Sequence, residues 1–144
     1  MPIATIEEAR DEILTYFTAA WAPTGVTLLY DDLPHDLPED ASWARITVQH
    51  NTFTQVTLGG KVALGGGGSR FRRNGLVTVQ IFTPSGDGLT TADPLVDLAV
   101  DAFEGEDTGS DRIEFRNARA NEVGNDGAWH QTNVTAEFEY DRVK

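Results

Sequence analysis

No cysteine occurs among the 144 residues. Disulfides, thiolate metal sites and thiol nucleophiles are thereby excluded, and a chain that matures in a reducing cytoplasm has no need of them. Basic residues are scarce, with 11 Lys and Arg against 23 Asp and Glu, for a formal net charge of −12. Non-specific nucleic-acid binding neutralises phosphates with clustered Lys and Arg, so the chain as a whole should repel DNA. No apolar run approaches the ~18 residues of a membrane helix. The opening Met1-Pro2-Ile3-Ala4-Thr5-Ile6-Glu7-Glu8 lacks a basic region followed by an apolar one, so no secretory signal is expected. The 40% hydrophobic and 24% charged shares are those of a soluble globular chain. The length suits one domain, burying roughly two-thirds of its unfolded surface.

Apolar periodicity predicts the elements. Residues 5–21 read as an amphipathic helix, with Ile6, Ala9, Ile13, Tyr16, Phe17 and Ala20 at three- and four-residue spacing. Thr5 and Glu8 have the spacing of a capping box, and Pro23 and Gly25 stop the helix. A short strand over 26–30 precedes a proline-broken loop, 31–38. Alternation predicts half-buried strands over 43–51, with Ala44, Ile46 and Val48 inward, and over 76–83, with Val77, Val79 and Ile81 inward. A second helix should begin near Thr90 or Thr91, with Pro94 in its first turn and Gly105 just past its end. Strands follow over 112–116 and 129–140, the latter burying Val134, Ala136, Phe138 and Tyr140. The order implies one α+β domain over 1–144, a mostly antiparallel sheet with two helices packed on one face. The other face is polar, either wet or kept for another subunit. A flexible glycine-rich loop is expected over 59–75, since Gly59, Gly60 and Gly65 to Gly68 lose much entropy on ordering.

Chemistry is harder to find. Gly60-Lys61 is followed by Val62 and then a strand, so the hydroxyl and the helix of a phosphate-binding loop are both missing. His35, His50 and His130 show no ligand spacing. Asp31-Asp32, or Asp107 with Asp111, do not match a calcium loop. Ser42, Ser69, Ser85 and Ser110 occupy no nucleophile elbow, and Ser85-Gly86-Asp87-Gly88 reads as a turn. No catalytic residue, metal site or cofactor is predicted.

Two features remain as contact candidates. Arg70, Phe71, Arg72 and Arg73 place three of the 11 basic residues within four positions. They either pair with acids of the same subunit or form a tip that meets a partner, since Arg and aromatics are enriched at interfaces. Trp43 and Trp129 fall on the polar sides of their strands, either covering a sheet end or packing on a neighbour.

The stretch Arg73-Asn74-Gly75-Leu76-Val77-Thr78-Val79-Gln80-Ile81-Phe82-Thr83-Pro84-Ser85-Gly86-Asp87-Gly88, with the helix 94–103 after it, resembles the centre of small bacteriophage tail terminator (tail completion) proteins. Gly127-Ala128-Trp129-His130-Gln131, Phe138-Glu139-Tyr140-Asp141, and Arg10, Phe17, Trp21 with Tyr30-Asp31-Asp32 are also similar. The resemblance spans almost the whole chain through patterns of sheet, turn and helix, none of them a catalytic signature. It implies a non-enzymatic virion protein, a hexameric ring that caps the tail tube, halts its polymerisation and offers a surface for head-tail joining. Its implied partners are itself, the major tail tube protein and the head-tail connector, with DNA passing through unbound and no membrane. The implied location is the virion tail, after assembly in the host cytoplasm. Arg70, Phe71, Arg72, Arg73, Trp43 and Trp129 become the expected subunit or tube interface. A head-tail connector, a minor tail protein, a metal-dependent hydrolase using Asp31, Asp32 and a histidine, and a monomeric binding domain stay open.

Overall fold

The computed structural model describes residues 5–31, 41–57, 69–86, 88–109 and 112–143. Five strands form one sheet: β1 (Thr27–Tyr30), β2 (Trp43–Gln55), β3 (Arg70–Pro84), β4 (Glu114–Asp126) and β5 (Trp129–Val143). Their spatial order is β1-β2-β3-β5-β4. Only β1 and β2 run parallel; the other neighbours are antiparallel. β3 is central, and every one of its residues pairs with β5 in an unbroken register from Arg70↔Val143 to Pro84↔Trp129. The expected α+β domain with a mostly antiparallel sheet is therefore the fold observed.

Both helices, α1 (Ile6–Trp21) and α2 (Leu89–Phe103), cover the face bearing Ala44, Ile46, Val48, Val77, Val79, Ile81, Val134 and Ala136, all buried. The α1 stripe buries Ala9, Ile13, Phe17 and Trp21, one per turn. Thr5 caps its start, accepting the Glu8 amide hydrogen at 3.1 Å, and a short 3-10 turn ends at Gly25 in the left-handed region (φ 68°). Phe17 stacks on Phe103 of α2 at 5.2 Å, and Phe103 meets Phe115 of β4 edge-on at 4.9 Å. This triad ties both helices to the sheet, each ring contributing about 1.5–3 kcal/mol through burial. Tyr16 adds a hydrogen bond to the Ala102 carbonyl at 2.5 Å.

Several expectations need correction. Ile6 is 37% exposed rather than buried. α2 starts at Leu89, so Pro94 lies beyond the first turn and removes an interior hydrogen bond. Gly105 does end that helix, at φ 69°. The glycine-rich loop is shorter than expected, because Arg70 to Gly75 belong to β3. Residues 58–68 lie outside the described residues, as do 32–40 of the proline loop. β4 continues to Asp126 rather than ending near Arg116, since two bulges, between Arg116 and Arg119 and between Glu122 and Gly124, hide its alternation. No described helix is long and apolar enough to cross a membrane.

β2 extends past the predicted Asn51 through a bulge between His50 and Thr52. That bulge shares a row with Gly75, Phe138 and Phe115, one residue short of the first β4 bulge. β2 and β4 thus shift register at nearly the same level of the sheet. Gly75 lies on this row with no room for a side chain: a Cβ there would lie 1.9 Å from the Gln49 carbonyl oxygen and 2.7 Å from the Phe138 ring. Gly75→Ala should destabilise the fold by about 1–3 kcal/mol, the usual cost of overpacking, measured by urea denaturation. An unchanged midpoint would show that the strands can separate there without cost.

Candidate functional site

Since Arg70-Phe71-Arg72-Arg73 forms part of a central strand, successive side chains project to opposite faces. Arg70 and Arg72 lie on the face away from the helices, opposite Val143 and Asp141. There Arg72 Nε meets Asp141 Oδ1 at 3.0 Å and Glu139 Oε1 at 3.1 Å, and Arg70 Nε meets Asp141 Oδ2 at 3.5 Å. Arg116 of β4 joins through Glu139 at 2.8 Å and Glu114 at 3.7 Å. The three arginine side chains are 53%, 41% and 61% exposed, so each pair contributes at most about 1 kcal/mol. The ladder's effect is local neutralisation. Arg70 and Arg72 thus pair with acids of the same subunit.

Phe71 and Arg73 project to the other face, beyond the end of the helical layer. The Arg73 guanidinium lies 4.5 Å from the centroid of Phe53, which is 51% exposed. The Tyr140 hydroxyl, whose pKa Arg73 lowers, is 2.7 Å from His50 Nε2. His50 meets Phe53, Phe138 and Tyr140 edge-on at 5.2–5.9 Å. Arg142 pairs with Phe71 on the same face, and Arg10 of α1 donates to the Val48 carbonyl at 3.4 Å. Burial lowers the His50 pKa, and Arg10 and Arg73 lower it further. Burial raises the Tyr140 pKa against the opposing influence of Arg73, Arg10 and Arg142. Every charged group acting on these two side chains is an arginine.

Trp43 and Trp129 lie at the opposite end of the sheet, on its helix-free face. Trp43 stacks on Phe82 at 4.0 Å, meets Trp129 edge-on at 6.1 Å and carries Arg45 over its ring at 5.6 Å. Trp43 is only 4% exposed, so it covers the sheet end rather than offering a ring to a neighbour; Trp129 is half-buried. Ten residues of β3 separate Phe82 from Arg72, about 30 Å at ~3.3 Å per residue. The six candidate residues therefore form no single site but two ends of one sheet.

His50, Phe53, Tyr140 and Arg142 were not recognised from sequence as partners of Arg73. The bulge at Asn51 puts His50 and Phe53 on one face at an odd spacing, which alternation alone assigns to opposite faces. Continuing the strand back through 70–75 would have separated Arg73 from Arg72. Among the described residues, no three His, Asp or Glu side chains converge as metal ligands would. Asp31 lines a small cavity with Arg10, whereas Asp32 and His35 lie outside the described residues.

No family model and no curated protein matches the sequence. Twenty-six solved chains match the structure significantly. One of them, which carries no descriptive name, is similar over 91% of this chain and 94% of its own, with a TM-score of 0.63 and 16% identity. At that identity the likeness concerns the fold alone.

The His50 environment makes stability depend on pH. Its folded pKa lies below the unfolded value of about 6.5, so the unfolded chain takes up the proton first as pH falls. The stabilisation is complete above that value and is lost as pH falls toward the folded pKa. NMR titration of the native protein should give a His50 midpoint below 6.5, moving upward in Arg73→Gln. A native midpoint at or above 6.5 would contradict the geometry.

Proposed function

We propose that this chain is a structural, non-enzymatic subunit of a bacteriophage tail, a terminator that forms a ring on the tube end, stops tube growth and presents a surface for head joining. The observation that carries the reading is the broad helix-free face of the sheet. Thr47, Gln49, Thr78, Gln80, Asn133 and Thr135 are partly exposed or exposed along its centre, and at its far end the arginines are matched by Asp141, Glu139 and Glu114. Double-stranded DNA is gripped through phosphates by unpaired cations. Hydroxyls and amides cover the centre of this face, and its arginine cluster at the far end is neutralised. Among the described residues, Arg45, over the Trp43 ring, and Arg119, bonded to the Asn117 carbonyl, are the arginines left there without an acid. Such a face offers few cations to hold phosphates, as the wall of a DNA passage requires.

The likeness of the sequence to tail terminators supports the same reading, because the matched segment from Arg73 to Gly88 is most of β3 and the turn into α2. In this reading the partners are further copies of the chain, the tube protein below and the connector above. Assembly takes place in the host cytoplasm and the product resides in the virion tail.

Electron microscopy of particles produced without the gene should show overlong tubes lacking heads, and purified protein should restore normal length. Headless tails of normal length would point to a connector instead, and tails of normal length with heads attached would overturn the reading.

A further inference from the structure

Two surfaces of the chain carry charge that the subunit itself does not neutralise. The first is the patch at the far end of the helix side of the sheet, built on Phe53, Phe71, Arg73 and Arg142 with Arg10 at its rim. Among the described residues, none of these arginines has a carboxylate within ion-pair distance, although the chain carries a net charge of −12. Arg70 and Arg72, one residue away along β3, are both paired. At this end of the sheet the contrast is therefore between faces, not between regions of sequence. Phe53 is 51% exposed beside Arg73, and exposed aromatic–arginine combinations are typical anchors of protein contacts.

The second surface is the outer ridge of α2. Asp93, Asp97, Asp101 and Glu104 follow at intervals of four, four and three residues, and all are exposed. Residues at these intervals align on one side of a helix, where like charges destabilise it. Asp101 and Glu104 also lie at the helix C-terminus, which disfavours negative charge, and no basic residue occupies the last turn. No described residue forms an ion pair with any of the four. The isolated subunit thus holds an acidic ridge and a cationic aromatic patch, each unfavourable alone and each matched in chemistry to the other.

We propose that the patch around Phe53, Arg73 and Arg142 is a docking surface for the acidic α2 ridge of a second copy of this chain. The contact joins two different surfaces, so it propagates head to tail and closes as a ring when its rotation permits. The inference rests on the ring reading above and names the surfaces that make the ring. Electrostatic complementarity would select this contact over the ridge-to-ridge and patch-to-patch alternatives, in which like charges meet.

Charge substitution tests it in the full chain. Phe53→Glu/Arg142→Glu cancels the net charge of the patch at positions outside the buried core, and Asp97→Lys/Asp101→Lys cancels that of the ridge. Sedimentation velocity should show each variant self-associating at least about tenfold more weakly than the parent chain, with melting temperatures confirming that both remain folded. Mixing the two variants should restore one contact, because the intact ridge of the first then meets the intact patch of the second. The absence of cysteine permits a second measurement that alters little charge. Phe53→Cys mixed with Asp97→Cys should cross-link between molecules through a short bis-maleimide, while neither cross-links alone.

Association of the charge variants at parental strength, or no cross-link in the mixture, would overturn the assignment while leaving the ring reading standing. A parent chain that stays monomeric at all concentrations and on tube ends would remove both. Patch-dependent binding of double-stranded DNA, with self-association unaffected by the substitutions, would give the surface to phosphate rather than to a second copy.

Discussion

β3 is hydrogen-bonded to β5 along its entire length and to β2 from Phe71 to Phe82. A strand fixed on both edges cannot rotate or slip without breaking two ladders, so each side chain is committed to one face. That constraint orders the rest of the molecule. It sends Val77, Val79 and Ile81 into the helical layer and Thr78, Gln80 and Phe82 to the other side. It also divides a short basic run into two chemically different sets. Arg72 enters a carboxylate ladder, whereas Arg73 is held between Phe53 and Tyr140, in a neighbourhood whose other charged groups are Arg10 and Arg142.

Much of this was legible in the sequence because local periodicity and global burial agree. The α1 stripe, the inward residues of β2, β3 and β5 and the glycine ending α2 all follow from spacing that tertiary contacts reinforce. The failures on β2 and β4 share one cause. Where a bulge inserts a residue, as at Asn51 or between Arg116 and Arg119, alternation changes phase and the strand stops resembling one. The start of β3 was read as loop because Arg-Phe-Arg-Arg follows a glycine-rich segment and has no inward aliphatic residue. Its regularity comes from the pairing partners, Gln55 to Phe53 on β2 and Tyr140 to Val143 on β5. The pairing of Arg73 with His50 and Phe53 was illegible for the same reason, as it depends on the shifted register. The polar-side position of Trp43 follows from alternation, whereas its burial depends on the rings of Phe82 and Trp129, which spacing does not show.

The distribution of charge has a similar logic. A chain with twice as many acids as bases concentrates arginine on one half of its sheet and acid on the outside of α2. At the Arg72 end the helix-free face pairs its charges internally, while the helical side leaves the two signs apart. Intramolecular pairing could have cancelled both, since the same residue types pair readily across β3 and β5. Their separation means that the surface presents different chemistry in different directions.

The bulges of β4 have a consequence for how any neighbour can leave. A regular outer strand offers its backbone as a template, and a second strand added to it is held by a row of cooperative hydrogen bonds. β4 interrupts that row twice and carries Asn117 at a positive φ of 54° within the first bulge. Contacts along this edge are therefore confined to side chains, which engage and release one at a time. Under the proposed ring reading, a copy that met this edge wrongly would not be trapped by its main chain; it could dissociate and be replaced, so accuracy of construction would come from reversibility rather than from a single tight encounter.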